Sequence, residues 1–143
     1  MSMKVNPFYN IEAPVGPRQT NRPDDVALVQ YLLVKVATVT AGGRWKPPAM
    51  PLAVDGTYTP NLGDWIMSYQ KVTRGVNDGV LHPQINQHWK KTTYSTIVSL
   101  NASYRAHFGG ARHDNLVAEP DCPVSLRMAL SPANSQPEMG TKA

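Results

Sequence analysis

Apolar residues recur along this chain at helical spacing. Val26, Val29, Leu33 and Val36 follow one another at intervals of three, four and three, which predicts an amphipathic helix. Pro23 suits its first turn, Asp24 and Asp25 lie where the helix dipole favours negative charge, and Gly42-Gly43 ends it. Leu62, Trp65, Ile66, Tyr69 and Val72 share one face of a second helix that opens at Pro60, with Thr59 as its cap. Ile97, Leu100, Tyr104 and Phe108 predict a third helix over Thr92 to Phe108, closed by Gly109-Gly110. Its β-branched start, from Thr92 to Val98, leaves a strand as the competing assignment. A shorter helix is predicted from Pro123 to about Leu130, capped by Asp121 or Cys122 and docked through Val124, Leu126 and Leu130.

The segments between these patterns are rich in proline. Residues 1–22 carry Pro7, Pro14, Pro17 and Gly16, which predicts an extended arm; its Phe8, Tyr9, Ile11 and Val15 need a surface, on the chain's own helices or on a neighbouring subunit. Arg44-Trp45-Lys46-Pro47-Pro48 reads as a stiff loop, either a recognition tip or, preferably, a lid over the core. The Pro-, Ser- and Asn-rich tail, 131–143, is expected to be flexible.

Two Asp-Gly pairs, Asp55-Gly56 and Asp78-Gly79, lie 23 residues apart with the second helical pattern between them. Gly accepts a positive φ and Asp bonds nearby backbone amides, so both pairs suit tight turns whether or not they bind anything. The order helix, turn, helix, turn over residues 24–83 resembles the peptidoglycan-binding-like three-helix domain family. Asp55, Gly56 and Tyr58 match its Asp-Gly-x-aromatic turn, Pro60 its helix opening, Tyr69-Gln70 its aromatic-Gln pair, Asp78-Gly79 its second turn, and Val29-Gln30 the core pair of its first helix. The chain departs from the family at Thr59, where Gly is usual, at Trp65, where a small residue is usual, and at Gly75-Val76, which is shifted. About ten extra residues, Thr40 to Met50, precede the first turn.

The resemblance implies an all-α fold: a small three-helix core over 23–90, preceded by the arm of 1–22, with a C-terminal helical extension over 91–130 packed on the core and the tail of 131–143. It also implies a shallow groove near the Asp-Gly turns, where aromatic faces stack on sugars and amides or carboxylates orient them. The candidate ligand-binding residues are Asp55, Gly56, Tyr58, Trp65, Tyr69, Gln70, Asp78 and Gly79. Trp65 and the insertion are expected to fill or reshape that groove.

Composition narrows the function. A chain of 143 residues suits one domain; 41% hydrophobic residues and 13 prolines fit a helical core with extended segments. The net charge of +4 gives a mild positive field without a dense basic patch. Lys90-Lys91 beside Trp89 and Tyr94 comes nearest to one, and nucleic acid is not an expected partner. The N-terminus lacks an apolar signal core and no stretch is long enough to span a membrane, so synthesis in the cytosol without membrane insertion is expected.

Chemistry is sparse. The three glutamates, Glu12, Glu119 and Glu138, make no convincing facing pair for glycan hydrolysis. His82, His88, His107 and His113 fit no zinc spacing, and Cys122 lies at a helix start without an evident base. Neither a catalytic residue nor a metal or cofactor is expected. The expected function is a non-catalytic module that binds peptidoglycan, through its glycan or stem peptide. The alternative is a structural component of a phage particle or contractile injection machine that uses the helical module and the N-terminal arm to contact copies of itself or other assembly proteins.

Overall fold

The computed structural model describes residues 9–40, 43–73, 77–84 and 95–130. Among them the chain forms helices α1 (Pro23–Thr40), α2 (Pro60–Val72), α3 (Thr96–Phe108), α4 (Gly110–His113) and α5 (Val124–Leu130), with a 3-10 turn at Leu116–Ala118 before α5. The fold is all-α.

Helix α1 is the centre of the molecule. It buries the patterned stripe of Val26, Val29, Leu33 and Val36, and also Ala27, Leu28, Tyr31 and Leu32. A helix apolar on most sides belongs in an interior, and α2, α3 and α5 all pack against it. Each large side chain so buried contributes roughly 1.5 to 3 kcal/mol. Helix α2 begins as its sequence predicts, with the Thr59 hydroxyl accepting the Leu62 N–H at 3.3 Å. Leu62, Trp65, Ile66 and Tyr69 face inward.

For α3 the helical reading prevails over the strand from Thr96 onward. Ser95 caps it through the Val98 N–H, and Ile97, Leu100 and Tyr104 are all fully buried on one helical stripe. Burial of that stripe outweighs the weak strand preference of its first residues. The predicted start at Thr92 lies outside the described residues, as do Trp89, Lys90, Lys91 and Tyr94. The Gly109-Gly110 pair ends α3, but α4 restarts at Gly110. In α5, Leu126 and Leu130 dock as expected, whereas Val124 is 69% exposed. Leu126 and Leu130 are four residues apart and share a face; Val124 lies two residues before Leu126, roughly 200° around the helix.

The described part of the N-terminal arm, residues 9–22, is a strap on the chain's own core. Tyr9, Ile11 and Val15 are buried. Val15 pairs with Leu81 in an antiparallel bridge, and the Asp25 carboxylate accepts the N–H groups of Glu12 and Ala13. Asn10 closes a two-way pair with the Gln84 backbone. The expectations for residues 1–8 and for the tail 131–143 lie outside the described residues. One buried apolar cluster runs from Tyr9 to Leu130 and includes α3, so the packing has no seam between 23–90 and 91–130.

Candidate functional site

Each Asp-Gly turn is held by a glutamine projecting from the helix before it. Gln30 of α1 is buried; its Oε1 accepts the N–H groups of Asp55 (2.9 Å) and Gly56 (2.8 Å), and its Nε2 donates to Asp55 Oδ1 and Thr57 O at 3.1 Å each. Gln70 of α2 is equally buried; its Oε1 accepts the Gly79 N–H at 2.8 Å, and its Nε2 donates to Val80 O and to the Thr96 hydroxyl. Inside each turn the aspartate accepts the N–H two residues on, Thr57 for Asp55 and Val80 for Asp78. Gly56 and Gly79 have φ of +77° and +76°, the left-handed region that glycine enters without steric cost.

Asp55, Gly56, Gln70, Asp78 and Gly79, five of the eight sequence candidates, are thus parts of the turns themselves. Both amide hydrogens of Gln70 are engaged within the protein. The N–H of Thr57, reinforced by the Gln30 amide, holds the Asp55 carboxyl below the usual carboxylate range.

The aromatic candidates are closed off. Tyr69 and Trp65 are 3% and 6% exposed. Trp45 covers both rings edge-on, with centroid distances of 5.0 Å to Tyr69 and 5.9 Å to Trp65. Trp45 is itself buried, so its loop is the lid rather than the recognition tip. A sugar-stacking platform on Tyr69 or Trp65 is therefore not available in this structure, because the insertion occupies those faces. Tyr58 is half-buried, and burial pushes its hydroxyl pKa up.

Trp65 and the insertion, the two main departures from the family pattern, account for one another. The Trp65 indole N–H donates to Met50 O at 2.9 Å, the Trp45 indole N–H donates to the Ser68 hydroxyl at 2.9 Å, and the Asn61 amide donates to Pro51 O at 3.0 Å. Asn61, Trp65 and Ser68 are spaced four and three residues apart, so one face of α2 carries the loop along its length.

Where that loop leaves α2 it forms one wall of a groove of about 620 Å³. Pro48 and the run from Met50 to Ala53 make that wall; the other comprises Gln30, Asp55, Thr57, Thr59, Pro60, Asn61 and Asp64. Of the sequence candidates, only Asp55 lines it. Asn61, Asp64 and Met50 were not singled out by the sequence, although Asn61 and Asp64, three residues apart on the polar side of α2, carry a signal of a shared exposed face. The groove combines an apolar, proline-rich wall with two amides, two carboxylates and two threonines.

The nucleophilic and metal-ligating residues lie elsewhere. Cys122 is buried, and burial pushes its thiol pKa up. Glu119 is buried in a two-pronged pair with Arg112 at 2.7 and 2.9 Å, while Glu12 is exposed. His82 and His107 are exposed, and His113 is buried. His88 and Glu138 lie outside the described residues. Among the described residues no group of three His, Cys, Asp or Glu side chains could hold a metal ion, and no helix is long and apolar enough to cross a membrane. Comparison with protein-family models, with curated proteins and with solved structures finds no match to this chain.

Proposed function

We propose that the protein is a non-catalytic module that binds bacterial cell-wall peptidoglycan, with the polymer lying in the groove between the Pro48 to Ala53 loop and the N-terminal half of α2. The observation that carries this reading is the position of the groove: it opens beside the first Asp-Gly turn, where the family resemblance implies a ligand. Its polar residues suit a hydroxylated or amide-bearing polymer, and its apolar wall suits the faces of sugar rings or alanyl methyl groups. Tyr58, Trp65, Tyr69, Gln70, Asp78 and Gly79 then support the groove rather than touch the ligand. The alternative, a structural component of a phage particle or injection machine, draws its support from Val124 and Met128, which lie four residues apart on α5 and are 69% and 72% exposed.

Co-sedimentation with insoluble sacculi tests the proposal. The wild-type protein should pellet saturably. Asp64→Ala and Met50→Ala, both at exposed positions of the groove, should each weaken pelleting about tenfold, since a lost contact of 1 to 1.5 kcal/mol is about that factor. Val124→Glu with Met128→Glu should leave pelleting unchanged. Absence of pelleting, together with a concentration-dependent oligomer abolished by the α5 changes, would favour the assembly reading instead.

A further inference from the structure

Beside the start of the Trp45 loop, between the C-terminal ends of α1 and α2 and the face of α3 that carries Ser99, Ser103 and His107, lies a second hollow of about 410 Å³. Its walls include Val36, Val39, Val72 and Trp45. Three hydroxyls meet within its lining: Tyr69 Oη lies 2.7 Å from Ser99 Oγ and 3.1 Å from Ser103 Oγ. Three hydroxyls carry three hydrogens, and two contacts use two of them. None of the three oxygens donates elsewhere among the described residues, so at least one O–H remains free to donate. The threonine hydroxyls of the lining, by contrast, already give their hydrogens to the backbone, Thr40 to Val36 O and Thr73 to Gln70 O.

The charged groups are of one kind. Arg44 is exposed and gives one N–H to Val72 O at 3.2 Å, and no carboxylate pairs with it among the described residues. His107, the other ionisable base of the lining, is also exposed. The hollow therefore presents an apolar body, a spare hydroxyl donor and an unpaired guanidinium, and no acidic residue among the described ones lines it.

We propose that this hollow is a binding site for a small amphipathic carboxylate, whose short apolar chain packs against the valines and Trp45 while its carboxylate takes the free hydroxyl hydrogen and the Arg44 guanidinium. Charge complementarity, with donors that have no further protein partner among the described residues, selects an anion; the valine walls select an aliphatic chain over a sugar. The site is distinct from the wall-binding groove, with which it shares no lining residue.

The test uses hexanoate, hexanol and hexyltrimethylammonium as probes, titrated into the full-length protein with backbone-amide and indole NMR as the readout. Hexanoate should give saturable shifts centred on Arg44, Trp45, Ser99 and Ser103, hexanol should bind at least tenfold more weakly, and the ammonium should give no saturable shift. Arg44→Gln, at an exposed position, should weaken hexanoate binding about tenfold, the loss of one charge-assisted hydrogen bond. Val39→Trp, at a position already 37% exposed, should fill the hollow and abolish binding while the melting temperature stays that of a folded protein. Equal binding of hexanol and hexanoate, shifts centred elsewhere, no saturable shift with hexanoate, or full binding by Val39→Trp would each overturn the proposal. Sacculus pelleting by Val39→Trp should match wild type, which separates this site from the groove.

Discussion

The two Asp-Gly turns have the same local chemistry and opposite surroundings. Both place glycine at a positive φ, both use the aspartate as an internal acceptor, and both hang from a buried glutamine of the preceding helix. The first turn borders the large groove and leaves Asp55 and Thr57 exposed. The second leads into residues covered by the N-terminal strap: Gly79 is buried, and Leu81 pairs with Val15 two residues later. A shared motif thus predicts a shared backbone and says little about access. Access depends on what the rest of the chain lays over the turn, here a loop standing beside the first and a strap over the glycine of the second, whose Asp78 stays exposed.

The largest expected effect comes from removing the glutamine amides while keeping their shape. Gln70→Met leaves the buried Gly79 N–H and the Val80 carbonyl without partners, at about 1 to 3 kcal/mol each, for a total of about 4 kcal/mol. Gln30→Met removes more hydrogen bonds, but its turn lies at an open groove where water can replace the amide, so a loss of about 2 kcal/mol is expected. Urea unfolding of the two variants measures the order. A Gln30 variant as costly as the Gln70 variant would mean that burial does not separate the turns.

A third side-chain amide behaves like the two glutamines with one difference, a titratable partner. Asn101 of α3 grips both backbone groups of Tyr9, at 2.9 Å each, and its Nδ2 also donates to Ile97 O. Its Oδ1 is therefore the acceptor for His113 Nε2 at 2.8 Å, which fixes His113 as the Nε2–H tautomer and leaves a buried Nδ1 without a partner. Burial first, then the nearby Arg105 cation, pushes the His113 pKa down to about 4, against a smaller upward pull from Asp114. The folded state resists a proton that the unfolded chain accepts near pH 6.5. Stability from this group is therefore complete above that value and is lost as pH falls toward 4. The loss between pH 7.5 and 4.5 should be about 2 to 3 kcal/mol. Glu119, held below its usual range by Arg112, loses its contribution only at lower pH, while Asp25, raised by burial, acts in the opposite sense near its own range. Denaturation at pH 7.5 and 4.5 should show the drop in wild type and a flatter profile in His113→Gln; an equal drop in both would assign it to the carboxylates.

The sequence carried the turns and the helices well, because both are local. Thr59-Pro60, the Val26 to Val36 stripe and the Asp-Gly pairs each announce their geometry within a few residues. What it could not carry was the pairing of distant segments. Nothing in Trp45 or Trp65 alone says that the two rings meet, so a buried aromatic cluster and a sugar platform read alike until the insertion is placed. The same limit applies to Gln70, for which the resemblance implied a ligand contact while its burial depends on Gly79, Val80 and Thr96 converging on it. Groove residues such as Asn61 and Asp64 were legible only as a polar helix face, for the converse reason: polar positions on a helix look alike until a wall is built opposite them.

Substituting the turn glycines should reverse the order expected for the glutamines. Gly56→Ala and Gly79→Ala both force alanine into a left-handed conformation, at about 1 kcal/mol in each turn. The neighbours then differ. A methyl group at Gly56 would sit 3.0 Å from the carbonyl oxygen of Pro23, the first residue of α1, where the backbone cannot retreat without moving the helix. A methyl at Gly79 would sit 3.3 Å from Met67 Cγ and Sδ, and Met67 is a flexible side chain, 39% exposed, that can turn aside. Gly56→Ala should therefore cost about 2 kcal/mol and Gly79→Ala about 1 kcal/mol. If thermal unfolding gave that order while the methionine substitutions gave the opposite one, the first turn would be fixed chiefly by backbone contact with α1 and the second by its side-chain amide. Equal costs for the two alanine variants would leave the φ penalty as the whole effect and remove the backbone contact from the explanation.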